Sequence, residues 1–184
     1  MHQPAPLIAL LGLWAGGSHA SPFDKAAAAS SLSDCLTKAG VPVDTSGSPD
    51  YRLDTSSFNL RLNYTPVAVA AVTTTKHVQD AVACARQAGV KANAKCGGHS
   101  YASFGLGGED GHLVIEMSRM NKVVLDNATG IATAEGGTRL GHLAWELWNQ
   151  GNRAISHGTC PGFVNSTLPL LFTVSFSLRL WLLT

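Results

Sequence analysis

The 184-residue chain lacks an excess of charge of either sign: 13 Lys and Arg against 12 Asp and Glu leave a formal net charge of +1. Without a basic stripe or an acidic run, nucleic acid is excluded as a partner, and long-range steering of charged ligands is weak. There is no G-x-x-x-x-G-K-[ST] loop, which excludes phosphate binding of the P-loop kind. The run "GLGGEDG" at Gly105–Gly111 misses the dinucleotide-fingerprint spacing, and it leads into an expected strand where that fingerprint needs a helix N-terminus. The seven histidines, at 2, 19, 77, 99, 112, 142 and 157, do not combine with the cysteines at zinc-ligand spacing, so no metal site is expected. No G-x-S-x-G elbow presents a serine nucleophile. Long apolar runs are missing too. Leu7–Trp14 is too short to span a bilayer. The final 17 residues, "LPLLFTVSFSLRLWLLT", are broken by Pro169 and Arg179.

What is present points to export. Residues 1–20 have the form of a secretory signal, with an apolar run followed by Ser18-His19-Ala20, although no Lys or Arg precedes the run. The alternative is a buried N-terminal helix. Three Asn-X-Ser/Thr sequons, at Asn63, Asn127 and Asn165, agree with a secreted glycoprotein. An oxidising compartment favours disulfides. The four cysteines, Cys35, Cys84, Cys96 and Cys160, allow three connectivities. Cys35 with Cys84 is favoured, because both fall on expected amphipathic helices outside glycine loops. Cys96 and Cys160 then either pair with each other, or Cys160 has another covalent partner.

The pattern predicts an α+β fold. Phe23–Lys38 reads as a helix with Leu32, Cys35 and Leu36 at helical spacing, stopped near Gly40. Val41–Asn59 reads as a polar, turn-rich connection. Ala68–Val72 is an apolar strand. Helix His77–Ala88 would bury Val78, Ala81, Val82, Ala85 and Ala88. Lys91–Lys95 follows as a second strand, and this strand–helix–strand order predicts a parallel pair. His112–Met117, Val123–Asp126 and Ile131–Glu135 read as three short strands. Helix Arg139–Gln150 carries Leu140, Leu143, Ala144 and Leu147 on one face and is stopped by Gly151. Ala154–Ser156 is read as a last strand.

Two loops carry reactive side chains beside glycine. "KCGGHSY" (Lys95–Tyr101) places His99 after Gly97-Gly98, a pair able to turn backbone amides toward an anion. "SHGTCP" (Ser156–Pro161) places Cys160 after Gly158-Thr159, with His157 close enough to perturb the thiol. An imidazole and a thiolate are both nucleophiles, and a cofactor with two electrophilic positions, such as a flavin ring, can be bonded by both.

"AKCGGHSYASFGLGGEDGHLVIE" (Ala94–Glu116) and "GGTRLGHLAWELWNQGNRAISHGTCP" (Gly136–Pro161) resemble the secreted fungal oligosaccharide oxidases of the berberine-bridge-enzyme-like group, in the vanillyl-alcohol-oxidase flavoprotein superfamily. The resemblance runs from about Cys35 to Gly162. It implies a partial FAD-binding domain of that superfamily's type, holding a bicovalent FAD. His99 matches the histidine bonded to the flavin 8α-methyl group, and Cys160 the cysteine bonded at flavin carbon six. Lys95, Cys96, Gly97, Gly98, Ser100 and Tyr101, with Gly158 and Thr159, match the cofactor-holding loops. Tyr101 also matches a tyrosine lining the sugar site, and Cys35 and Cys84 match the family's N-terminal disulfide. Cys96 stands where the family usually has glycine. Its side chain is expected to crowd the phosphate loop or to offer Cys160 a wrong disulfide partner.

The implied activity is oxidation of the anomeric hydroxyl of an oligosaccharide to a lactone, with oxygen reduced to hydrogen peroxide. The expected organisation is a signal at 1–20, a helix and connection at 21–62, an incomplete FAD-binding domain at 63–162, and an apolar tail at 163–184 that reads as intron-derived. The catalytic base and substrate domain are expected beyond the chain's end. The alternatives are a catalytically inactive flavin-binding fragment and a membrane-tethered surface protein.

Overall fold

The fold is taken from a computed structural model, which describes residues 22–162. The signal, the tail and the sequon at Asn165 lie outside the described residues. The elements in chain order are helix α1 (Pro22–Lys38), strand β1 (Val43–Asp44), helix α2 (Tyr51–Asp54), strand β2 (Ala68–Ala71), helix α3 (Thr75–Gln87) and strand β3 (Ala92–Lys95). A 3₁₀ turn (Phe104–Leu106), strands β4 (Leu113–Glu116), β5 (Val123–Asp126) and β6 (Ile131–Ala134), and helix α4 (Leu140–Gly151) complete them.

Helix α3 begins two residues before its expected start. Thr74 is extended, and its hydroxyl accepts the N–H of His77, which satisfies one of the donors a helix N-terminus leaves open. Val78, Ala81, Cys84 and Ala85 face inward, while Val82 is exposed, contrary to its expected burial. Helix α4 ends one residue late, with Asn152 in the left-handed region and Gly151 still helical. Ala154–Ser156 forms no strand, because no neighbouring backbone pairs with it among the described residues.

The four-stranded sheet has the order β1-β2-β4-β3. The strand–helix–strand unit therefore does not close into an adjacent pair. Strand β4 inserts between β2 and β3 and runs parallel to both. The connection expected to be irregular contributes β1, antiparallel to β2, and the single-turn helix α2.

Alternation along the strands gives the sheet two different faces. Leu113 and Ile115 join Ala70, with Leu32 and Leu36 of α1 and Val78, Ala81 and Ala85 of α3, in the larger core. Each fully buried leucine there contributes about 1.5–3 kcal/mol. The Cys35–Cys84 disulfide, with Cα atoms 5.6 Å apart, ties α1 to α3 at the edge of this core. Val69, Val114 and Leu106 form a smaller cluster on the other face. Val123, Leu125 and Ala132 of the β5–β6 hairpin pack on Leu143 and Leu147 of α4 as a separate cluster.

Candidate functional site

Strands β3 and β4 end side by side, with Lys95 and Glu116 in register. Lys95 Nζ pairs with Glu116 Oε2 at 2.5 Å, and both side chains are buried. Glu116 Oε1 accepts the N–H of Ser118 at 3.0 Å. Two charges taken out of water are tolerated only with this quality of pairing and hydrogen bonding. The Lys95 stem then forms the floor of the glycine loop. Gly98 has φ +70°, and a β-carbon there would come within 3.1 Å of Lys95 Cε. Both the left-handed backbone and the close approach call for glycine.

Asp54, at the end of α2, is also buried. Its carboxyl is pushed up to about 6, chiefly by burial and then by the negative charge of Glu116, with Lys95 and Arg119 acting the other way. Arg119 bridges Asp44 at 3.2 Å and Asp50 at 3.1 Å, and lies 3.8 Å from Asp54.

His99 leaves the loop with its ring 4.7 Å from that of Phe58, tilted by 40°. Phe58 meets Tyr101 edge-on at 5.5 Å. Asn59 Nδ2 donates to the Tyr101 carbonyl at 2.9 Å, and Ser103 Oγ donates to the Leu62 carbonyl at 3.1 Å. The stretch 57–62 therefore wraps the glycine loop, with Tyr101 largely open to solvent. Ser100 stays within the loop, its hydroxyl accepting the N–H of Phe104 at 3.3 Å. The loop's return limb is fastened by buried His112. One ring nitrogen of His112 lies 2.5 Å from Asn93 Oδ1, and the other lies 3.0 Å from Glu109 Oε1. Glu109, exposed, also pairs with Lys91; that bond first, and His112 second, lower its carboxyl to about 2.

The second loop docks on the start of α4. The Pro161 carbonyl accepts the N–H of Gly141 at 3.0 Å, one of the donors left open by the helix N-terminus. Gly158 lies over Leu140. Gly162 reaches the first loop: a β-carbon built on it would stand 3.5 Å from His99 Nε2. The chain thus brings the histidine loop and the cysteine loop together, through Gly162.

Cys160 is an exposed free thiol, and Thr159 is exposed beside it. His157 Nδ1 lies 2.7 Å from the Gly158 carbonyl. Cys96 departs from expectation. It is partly buried against the larger core, with Sγ donating to the Gly136 carbonyl at 3.0 Å. It forms no disulfide with Cys160. Asn63 and Asn127 are both exposed; the Asn63 amide donates to the nearby Leu60 carbonyl at 3.1 Å, and the Asn127 amide to the Gln150 carbonyl at the end of α4 at 3.0 Å.

Sequence reasoning missed Phe58, Asn59, Asp54 and Glu116. The available signals were a lone aromatic in a polar turn and an acid ending an otherwise apolar strand.

Residues 66–164 match the family described as FAD binding domain. The chain is 57% identical over 142 residues to xylooligosaccharide oxidase of Thermothelomyces thermophilus, covering 77% of this chain and 28% of that protein. It is 49% identical over 162 residues to chitooligosaccharide oxidase of Gibberella zeae, covering 88% and 32% respectively. Among solved structures it is similar to glucooligosaccharide oxidase from Acremonium strictum, described with a 6-S-cysteinyl, 8α-N1-histidyl FAD. The TM-score there is 0.70 at 47% identity, over 73% of this chain and 28% of that one. The chain therefore spans about a third or less of the length of these relatives.

Proposed function

The chain belongs to the FAD binding domain family, and from that premise we propose that it forms the flavin-holding part of an oligosaccharide oxidase, with His99 and Cys160 as the two covalent anchors of one FAD. The observation that carries this reading is the approach of the two loops, a β-carbon built on Gly162, two residues after Cys160, standing 3.5 Å from His99 Nε2.

The residues present fit the cofactor. Gly98, with φ +70°, lies over the Lys95 stem, a close approach that a β-carbon would obstruct, and successive glycines at 97 and 98 suit a backbone that presents amides to a phosphate. Lys95, Cys96, Ser100 and Tyr101 complete that loop, and Gly158 and Thr159 line the approach to the exposed Cys160 thiol. Lys95 acts through its stem, since its ammonium is engaged by Glu116. Cys96 acts through its backbone, since its thiol is turned to Gly136.

His99 would hold the ring through an imidazole nitrogen and Cys160 through its sulfur; each bond would replace a flavin C–H and the side chain's N–H or S–H, the two electrons and two protons passing by way of the flavin to oxygen, and two bonds on one ring would hold it against rotation. Tyr101, exposed beside His99, lines the sugar site. FAD held there would supply two-electron chemistry, a hydride equivalent leaving the anomeric carbon and the electrons going on to oxygen, which would give a lactone and hydrogen peroxide.

The disulfide and the two exposed sequons support a secreted protein, organised as a helix and connection at 21–62 and a flavin domain at 63–162. No helix among the described residues is long and apolar enough to cross a membrane. The alternative in the same setting is a flavin-binding fragment without turnover.

The experiment joins this chain to the remaining length of the xylooligosaccharide oxidase. Intact mass and the flavin fluorescence of denatured protein then count the bonds. His99→Ala and Cys160→Ala are each expected to remove one bond, and the double variant both. Two bonds surviving in either single variant would overturn the assignment. Peroxide release by the 184-residue chain alone would overturn the reading as a fragment without turnover.

A further inference from the structure

We infer that Phe58 is a positioning residue for His99, and that residues 57–62 form a clamp setting the angle at which the imidazole faces its electrophile. This rests on the reading of His99 as a flavin anchor. An imidazole at the end of a glycine loop has little to fix its rotation, since the torsion that turns the ring is broad. Here Phe58 covers it at 4.7 Å, and Gly162 of the other loop lies nearby, a β-carbon built there standing 3.5 Å from Nε2.

Phe58 is itself anchored. Asn59 Nδ2 donates to the Tyr101 carbonyl at 2.9 Å, and Asn59 Oδ1 accepts the N–H of Arg61 at 3.2 Å. At the base of the turn the Leu62 carbonyl accepts both Ser57 Oγ at 2.6 Å and Ser103 Oγ at 3.1 Å. Ser57 and Ser103 are buried, whereas Phe58 is 46% exposed, more than an aromatic placed for core packing. Its ring instead meets His99 and Tyr101, the proposed anchor and the proposed sugar contact.

The test uses diethyl pyrocarbonate on the chain as it stands. The imidazole nitrogen takes the reagent's ethoxycarbonyl group, releasing carbon dioxide and ethanol, and peptide mass mapping reads the rate at each histidine. Phe58→Ala is expected to change the His99 rate about three- to tenfold upward, the size of a lost aromatic pair. His157, outside the clamp, should keep its rate. Phe58→Tyr should restore the wild-type rate, and Trp148→Ala on α4 should leave it unaltered. Phe58→Leu covers the case in which the alanine variant does not fold, and is expected to act in the same direction.

An unchanged His99 rate in Phe58→Ala and Phe58→Leu, or a uniform rise at all histidines, would overturn the clamp. In the full-length chimera, Phe58→Ala should slow attachment at His99 while the Cys160 bond still forms, with Phe58→Tyr rescuing. If the wild-type chimera takes up no flavin, the reading of the site fails, while the pyrocarbonate rates still decide the clamp.

Discussion

Asp54→Asn is expected to make the protein more stable at neutral pH. Asp54 is 5% exposed, and its Oδ2 receives no hydrogen bond among the described residues. Burial and the neighbouring Glu116 carboxylate raise its pKa from the ordinary 3.8 to about 6. The folded state thus holds the proton more tightly than the unfolded chain does. The stability linked to that proton is complete below pH 3.8 and is lost as pH rises through about 6. At ~1.4 kcal/mol for each pH unit between the two values, the neutral-pH cost of keeping Asp54 ionised is about 2–3 kcal/mol. Asparagine preserves the shape and removes that cost. Arg119 keeps Asp44 and Asp50 as partners. Thermal unfolding followed by circular dichroism at pH 7.5 should show the midpoint rising by about 6–10 °C. The gap between variant and wild type should shrink toward zero near pH 4. A variant less stable than wild type at pH 7.5, or a gap that does not change with pH, would refute the reasoning, because pairing with Arg119 would then outweigh burial.

Two further outcomes follow from the backbone and the crosslink. Replacing both Cys35 and Cys84 with alanine should cost about 4 kcal/mol by the chain-entropy relation, since the bond closes a loop of sequence separation 49. Urea unfolding measures the loss, and a free Cys84 thiol in non-reducing peptide maps of wild type would sink the premise. Gly98→Ala should cost about 1–2 kcal/mol for the left-handed backbone, with further strain against Lys95 Cε. A chemical denaturation midpoint equal to that of wild type would show that the loop relaxes.

The helices and their inward faces were legible in the sequence because each is a local pattern: the α3 repeat placed Val78, Ala81 and Ala85 correctly. Val82 went wrong because it falls at the margin of that repeat, where only tertiary contact decides. The start of α3 was readable in principle from the threonines before it, since Thr74 is an N-cap of ordinary type. The insertion of β4 between β2 and β3 was not readable, because strand order depends on pairings among segments far apart in the chain. Ala154–Ser156 had strand-like residues and no pairing strand among the described residues. The glycine loops were visible because small residues beside a histidine or a cysteine mark close approach. Phe58 was hidden in a stretch whose polarity described the turn accurately while concealing what its one aromatic ring touches.

The placement of β4 at the centre of its sheet has a consequence for how the chain must come off the ribosome. Strands β2 and β3 emerge first and have no direct hydrogen bonding to each other; both are bonded to β4, which is made after them. Until residues 113–116 are available, each has an open edge toward the gap β4 will fill, the kind of edge that recruits other chains. Cys35 and Cys84 both precede that gap in synthesis. Disulfide formation can therefore pin α1 to α3 beforehand, shortening the search that β4 has to make.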